Sequence, residues 1–550
     1  MQAQLGRRLT WLSVVALLLL SAMGGRLYQL QVTRNALYTQ RVYQYRPPLL
    51  LDLAEKRGLI LDRNGEPLTD PRQSWRVGVF PQLLSDPAAE AQTLGRILGE
   101  EPLDLELAFY QLKKEGWLPL SSPVDEAEAK AIGEAHLPGI AAGPYLKRQG
   151  PNALARHLLG YTNDNGGTRG LELVFNEQLK GGDVPRLAAY LDGRGEPLSG
   201  LGIRAVVPTA GKEPYQLYTT IDRRIQAAVE EVLGARRDSL PATAVVMNPS
   251  TGEVLAMASR PNFPYPFTGD PNDESLRNRA VEQQPPGSVF KAVIAAAALE
   301  QGKVKPDERF YCDGHETFQG WNVSDAGHGW LTFSEAVAKS CNIVFAKVGV
   351  ERLGVAGMAA AAQKFGFGQV TNVLGHPWDE EHPGKVPAPT AGTAVQMAIG
   401  QGDLRVTPLQ IARAYSAIAN GGVLPAARLI QAVKSPAGEV VERPQAGRPE
   451  RVISKEAAAA LQRLLAGVTE PGGSGTGRAA WVTGAGSAGK TGSAETGKKG
   501  VVHAWFAGYL PQWKPKWVVV VLVEDGQFGG TAAAPVFAEI GKRLVAIEGY

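Results

Sequence analysis

Leu9 to Gly25 runs for 17 residues without a charge, with Val14-Val15-Ala16-Leu17-Leu18-Leu19-Leu20 at its centre. Such a run belongs in a bilayer, in a protein core or in a secretion signal. At a rise of about 1.5 Å per residue it spans roughly 25 Å, just short of the roughly 30 Å hydrocarbon core of a membrane. Continuing through Arg26 to Val32 makes up the difference, because Arg26 can snorkel and Tyr28 suits the interface. Arg7 and Arg8 precede the run, and the positive-inside rule then keeps the N-terminus cytoplasmic. A cleaved signal peptide is the competing reading, but Ala22-Met23-Gly24 is a poor cleavage site and Arg26 follows the apolar run directly. Residues 1–34 are therefore expected to be a cytoplasmic tail and single transmembrane anchor in the cell (inner) membrane, with the rest of the chain on the periplasmic side.

The remaining chain reads as globular. At roughly 150 residues per domain, 550 residues imply about three or four domains or two large ones. A hydrophobic share of 44% excludes wholesale disorder and a polytopic membrane protein. Basic residues number 57 and acidic 54, a balance of +3 with no long basic run, so no nucleic-acid partner is expected. Cys312 and Cys341 cannot make a disulfide scaffold or an all-cysteine zinc site.

Residues 35–215 alternate short apolar runs with charged and Gly/Pro-rich stretches, a mixed α+β pattern without a catalytic constellation. Asn64-Gly65 between two apolar runs signals a hairpin turn, Asn163–Gly170 a Gly-rich loop, and Ala88–Leu98 and Glu126–His136 helices. After residue 216 the pattern becomes strand, turn, strand (Ala242–Ala258), then a long Ala-rich helical region from Ser288 through the 450s. Three strand-like runs (Gly489–Glu495, His503–Leu510, Trp517–Glu524) and an amphipathic helix over Ala534–Ile547 close the chain. Strands from both ends with helices between predict one antiparallel sheet flanked by helices over residues 216–550.

Three short motifs carry chemistry. Ser288-Val289-Phe290-Lys291 follows Pro285-Pro286-Gly287 and opens an Ala-rich helix, placing hydroxyl and amine one turn apart on one face. A desolvated lysine can take the serine proton, and the helix N-terminus offers free N–H groups to an oxyanion. Taken alone, this is as readily a serine capping a buried helix. Ser340-Cys341-Asn342 lies between two helical runs and can aim a hydroxyl and an amide into a cleft. Lys490-Thr491-Gly492-Ser493 lies on a strand, where a cation and a hydroxyl suit a substrate carboxylate and the bare Gly492 lets a substrate backbone approach.

Other patterns compete and fall away. Gly484–Thr491 satisfies the phosphate-binding pattern G-x-x-x-x-G-K-T, but glycine-rich chain precedes it and a hairpin follows, where a strand and a helix are needed. Gly472–Thr476 only approaches a G-x-S-x-G nucleophile elbow. Cys312, Asp313, His315, Asp325 and His328 form a loose cluster whose spacing fits no standard zinc motif, so they are read as solvated loop residues rather than ligands. No cofactor is expected.

Ser-x-x-Lys, Ser-x-Asn and Lys-Thr-Gly, in that order, form the signature of penicillin-recognising serine enzymes. From anchor to C-terminus the chain resembles a class B penicillin-binding protein, the monofunctional peptidoglycan transpeptidase. Matching stretches include Arg57-Gly58, Asp62-Arg63-Asn64-Gly65 and Gly170-Leu171-Glu172 in the family's pedestal domain. Later ones are Asn278-Arg279-Ala280, His503-Ala504-Trp505-Phe506 and Ala534-Pro535-Val536-Phe537. The resemblance implies an α+β protein with anchor (1–34), pedestal or dimerisation-like domain (35–215) and transpeptidase domain (216–550). It also implies that Ser288, Lys291 and Ser340 are catalytic and that Asn342, Lys490, Thr491, Gly492 and Ser493 bind substrate. The implied substrates are D-Ala-D-Ala stem peptides, with β-lactams as mimics. The implied partner is a polytopic glycan polymerase of the shape, elongation, division and sporulation family, RodA-like in elongation or FtsW-like in division. The short N-terminus, compact pedestal and Ser-Cys-Asn motif favour the elongation type, penicillin-binding protein 2. A hydrolase with the same motifs and a non-enzymatic scaffold or β-lactam sensor are the rival classes; rapid release of hydrolysed penicillin would mark the hydrolase.

Overall fold

A computed structural model of the chain describes residues 2–34, 49–55, 57–120, 124–148, 150–163, 166–181, 184–191, 203–206, 214–265, 267, 269–388, 390–445 and 447–549. The stretch 35–48, where the anchor was expected to pass into the pedestal, lies outside the described residues, as do 164 and 165 of the Gly-rich loop. The chain sorts into two compact units, and the sorting is not sequential. The first comprises residues 1–55, 73–147 and 184–210, the second residues 56–72, 148–183 and 211–550.

In the first unit, helix α1 (Gln2–Tyr28) continues into a π-helical turn over Gln29–Thr33. Trp11–Thr33, 23 residues with a mean hydropathy of 1.5, is long and apolar enough to cross a membrane. The globular part pairs strand Arg72–Val79 with Gly116–Trp117 and Ile140–Lys147, and sheet and helices share a core of Val77, Val79, Leu94, Leu105, Phe109 and Ile132. Local signals fix the helices. Asp86 caps Pro87–Leu98 by accepting from the Ala89 N–H, and Gly99, in the left-handed conformation (φ 67°), ends it. Asp125 and Glu128 form a reciprocal capping box on Glu126–Glu134.

The second unit is built on a five-stranded antiparallel sheet. Its strands are β1 (Ala242–Met247), β2 (Val254–Arg260), β3 (Ala488–Glu495), β4 (Val502–Leu510) and β5 (Trp517–Val523), in spatial order β2-β1-β5-β4-β3. Strand periodicity assigns alternate side chains to two separate cores. Val518, Val520 and Leu522 of β5 join the Ala-rich helices on one face. Val519, Val521 and Val523 join helix Arg223–Gly234 and the C-terminal helix Gly529–Glu548, with its Phe537, Ile540 and Leu544, on the other. Burial on both faces explains why β5 reads as an unbroken apolar run and not as an alternation.

The Ala-rich region departs from the continuous helical reading. Helices Lys291–Glu300 (α2), Phe333–Lys339 (α3) and Asn342–Ala346 (α4) form, but residues 309–332 between them make two antiparallel pairs. Arg309–Cys312 pairs with Gly329–Thr332, and His315–Phe318 pairs with Trp321–Ser324. Turns at Gly314 (φ 101°) and Gly320 (φ 84°) need glycine and break the helical period.

The expected turn at Asn64-Gly65 is present: the Asp62 carboxylate accepts from the N–H groups of Asn64 (2.7 Å) and Glu66 (2.9 Å), and Gly65 has φ 91°. Within the same unit Glu172 is fully buried between two guanidinium groups. Arg57 Nε donates to Glu172 Oε2 at 2.5 Å and Arg57 Nη2 to the Glu172 carbonyl at 2.6 Å, while Arg148 pairs with Glu172 Oε1. Arg148 Nε also donates to the Gly58 carbonyl at 2.5 Å, so the carboxylate clamps residues 57–58 to 148. Neutralising one member of a buried ion cluster strands the others, at a cost of about 3–5 kcal/mol. Glu172→Gln is expected to lower stability by roughly 3 kcal/mol, read as a fall in the calorimetric transition of the second unit.

Candidate active site

Ser288 sits on a single 3-10 turn, Gly287–Phe290, that runs directly into α2. Three bonds hold this turn. Trp505 Nε1 on β4 donates to the Pro285 carbonyl (3.0 Å), Tyr415 Oη donates to the Val289 carbonyl (2.8 Å), and Gln284 N donates to the Val406 carbonyl (2.8 Å). Gly287 adopts φ 55°, and a Cβ there would lie 2.7 Å from the Ser493 carbonyl oxygen, so only glycine lets the turn reach β3.

Lys291, three residues on, is fully buried at the start of α2. Its Nζ donates to the Ser340 carbonyl (2.6 Å) and to Asn342 Oδ1 (2.6 Å), with Ser340 Oγ at 3.4 Å. Burial pushes the ammonium down to about 8, against the opposing pull of nearby Asp325. The acceptors are delivered by the loop between α3 and α4. A capping box of Thr332 and Glu335 starts α3, and Ser340 ends it in the left-handed conformation (φ 62°), uncommon for a serine and aimed at the lysine. Asn342 then opens α4, its N–H donating to Asp325 Oδ2 at 2.5 Å.

Lys490 on β3 is buried too, and its Nζ donates to the Thr491 carbonyl at 3.2 Å. Burial, joined by repulsion from Lys291, holds its pKa well below the ordinary lysine range. The Thr491 hydroxyl bonds that of Thr476 at 2.6 Å, and the Thr476 N–H donates to the Ala338 carbonyl at 3.1 Å. Thr476 thus ties the Lys-Thr-Gly strand to α3. Its place in a glycine-rich loop that resembled a failed nucleophile elbow gave no hint of this.

Gly492 packs closely on the protein's own chain. The space a Cβ would take is filled by the Pro286 carbonyl oxygen (3.0 Å), Val289 Cγ1 (3.1 Å) and Trp505 Cβ (3.1 Å). The missing side chain admits the protein's own Ser288 turn. The phosphate-loop pattern, Gly484–Thr491, ends on β3 with β4 following, and no helix follows it.

The reading of solvated loop residues holds for Asp313 and His315, which are exposed, but not for Cys312, which is buried. Cys312, Asp325, His328 and, from the middle of the Ser-x-Asn motif, Cys341 bring one ligand atom each within 4.8 Å of one another, with both cysteines buried. Asp313 and His315 do not join this group. Two thiols, an imidazole and a carboxylate are a donor set that could hold one tetrahedral divalent ion, zinc best of all. An ion there would fasten Cys341, and with it the loop carrying Ser340 and Asn342, to the two antiparallel pairs.

A serine at a helix start, a buried and partly neutral lysine one turn along, and an edge strand packed on the serine's turn together suit acyl transfer through a covalent serine ester. The chain matches the penicillin binding protein transpeptidase domain over residues 242–542 and the penicillin-binding protein dimerisation domain over residues 53–186. It is 32% identical to stage V sporulation protein D of Bacillus subtilis over 89% of this chain and 78% of that one. It is 30% identical to the peptidoglycan D,D-transpeptidase FtsI of Escherichia coli over 89% and 83%. The crystal structure of penicillin binding protein 3 from Mycobacterium tuberculosis complexed with ampicillin superposes with a TM-score of 0.66 at 26% identity, covering 91% of this chain and 96% of that one. The chain belongs to the class B penicillin-binding transpeptidases, serine-type D,D-transpeptidases of peptidoglycan synthesis.

Elemental analysis of the full chain purified without chelators tests the four-residue cluster. About one zinc per chain is expected, falling sharply in Cys312→Ser.

Proposed function

We propose that Ser288 is the nucleophile and Lys291 its general base. The observation that carries this is the lysine itself: buried, hydrogen-bonded to Ser340 and Asn342, and lowered to about 8, so that its neutral fraction near neutral pH is far larger than an exposed lysine's. In this reading Ser288 Oγ attacks the carbonyl carbon between the two D-alanines of a donor stem peptide while its proton passes to Lys291 Nζ. The N–H groups of Ser288 and Ser493 hold the oxyanion. Collapse of the tetrahedral intermediate breaks the peptide bond, and Ser340 relays a proton from Lys291 to the departing D-alanine nitrogen. Asn342 binds the donor's peptide amide, Lys490 and Thr491 attract its terminal carboxylate, and Gly492 lets β3 close on the nucleophile's turn. An amine of a second stem peptide then displaces Ser288 from the ester and leaves the cross-link. A β-lactam replaces the donor and blocks Ser288.

The chain is read as acting in elongation and cell-shape maintenance, beside a RodA-like glycan polymerase, with residues 1–34 as the anchor, 35–215 as the pedestal and 216–550 as the transpeptidase domain. The cytoplasmic orientation of the N-terminus rests on Arg7 and Arg8. Co-purification of the full chain with a RodA-like polymerase supports this reading; selective capture of an FtsW-like polymerase would move it to division.

A fluorescent penicillin is expected to label the full chain covalently, with labelling lost in Ser288→Ala; labelling that persists would sink the nucleophile assignment. Lys291→Ala should abolish acylation while the protein keeps its melting temperature. Because only the neutral amine accepts the serine proton, the acylation rate of the wild type should rise with pH and level off above about 8. A flat profile through that range argues against Lys291 as the base.

A further inference from the structure

The oxyanion site assigned to the N–H groups of Ser288 and Ser493 has two halves on different segments, and a third segment touches both. The turn Ile399–Gly402 follows helix Ala391–Ala398 and is tied down by its own backbone, with Gly400 N donating to the Met397 carbonyl (3.0 Å) and Gln401 N to the Gln396 carbonyl (2.8 Å). Gly400 has φ 77°, and a Cβ there would lie only 1.9 Å from the Gly287 carbonyl oxygen, so this turn lies against the residue before the nucleophile. The next side chain reaches the other half. Gln401 Nε2 donates to the Ser493 carbonyl at 3.2 Å, and the Glu495 N–H donates to Gln401 Oε1 at 3.3 Å.

Strand β3 ends the sheet, so among the described residues no strand lies beside one of its edges. Within a strand the N–H and C=O of one residue point to the same edge, and alternate residues point to opposite edges. The Ser493 carbonyl and the Glu495 N–H, both engaged by Gln401, therefore mark the outer edge, and the Ser493 N–H points to it as well. The primary amide of Gln401 makes the two bonds that a neighbouring strand would make, and it stops after those two.

We propose that Gln401 is a positioning residue for acyl transfer: its amide fixes the plane of β3 at Ser493 so that the Ser493 N–H converges with the Ser288 N–H on the developing oxyanion. This rests on the assignment of Ser288 as nucleophile. Gln401 touches no reacting atom. It acts through the strand, while Gly400 holds the Gly287 side of the same pair. A carbonyl oxygen has two lone pairs, so the Ser493 carbonyl can keep Gln401 while accepting a further bond from a bound peptide.

Stopped-flow acylation of the full chain by a fluorescent penicillin separates positioning from folding. Gln401→Ala removes both bonds. Gln401→Glu keeps an acceptor for the Glu495 N–H but cannot donate to the Ser493 carbonyl. Removing an oxyanion donor outright costs about 10²–10³ in rate, so misaligning one is expected to slow the acylation step by about 10-fold in both variants. The pre-acylation dissociation constant and the melting temperature should stay near wild type, a split that a purely structural role would not produce. An acylation step as fast as wild type in both variants, or faster in either, overturns the proposal. If Gln401→Ala fails to fold, Gln401→Glu decides by the same criterion. Labelling that survives Ser288→Ala overturns both this inference and the nucleophile assignment, whereas unchanged rates with labelling confined to Ser288 overturn this inference alone.

Discussion

The site depends on one ammonium group held out of water. Lys291 is buried to the last atom, and a charge so placed is tolerated only where fixed acceptors replace its hydration. The Ser340 carbonyl and the Asn342 amide oxygen do this, each at 2.6 Å. Much of the surrounding backbone serves that delivery. The capping box of Thr332 and Glu335 sets the start of α3, the left-handed Ser340 turns its end, and Asp325 fixes the N–H of Asn342. The acceptors hold the lysine in place, while desolvation lowers its pKa, as the proposed role of general base requires.

The sheet supplies the rigid frame against which this loop works. Its strands are buried on both faces, so β5 and β4 cannot slip by one residue without moving valines between two cores. The Ser288 turn then rests on the sheet's edge through glycine contacts on both sides. Gly287 meets the Ser493 carbonyl, and Gly492 meets the Pro286 carbonyl, at separations no side chain would allow or would allow only tightly. The glycine of the Lys-Thr-Gly motif thus also serves the packing of the Ser288 turn on β3.

The three motifs, the α+β class, the strands of the C-terminal hairpin and the apolar N-terminal helix were all legible because each is a local pattern of period, cap or turn. What escaped was produced by tertiary structure. Cys341 could not be joined to Cys312, Asp325 and His328 by spacing, because the loop between α3 and α4 brings it there from another element. The strand pairs at 309–332 were hidden inside an Ala-rich stretch whose average composition is helical, while the deciding glycines are single residues. Thr476 and Gln401 lie in Gly-rich turns that carry no periodic signal, and their partners are side chain to strand. The joining of residues 57–58 to 148 and 172 rests on the buried Glu172 between Arg57 and Arg148, and the Arg57–Glu172 pair spans 115 residues that no short window along the chain can see.

The two buried lysines of the site are electrostatically coupled. Lys490 is buried and repelled by Lys291, so the protonated state of each is costly while the other is charged. Two such groups do not titrate independently, and the pair sheds protons more readily than an exposed lysine would. A ligand carboxylate entering this region offsets the repulsion and favours the charged form of the lysine it meets. If that lysine is Lys490, the proton demand of the pair is met there, and Lys291 is free to remain the neutral partner beside Ser288. In the proposed mechanism, recognition of a carboxyl terminus at Lys490 would therefore also favour the neutral form of Lys291.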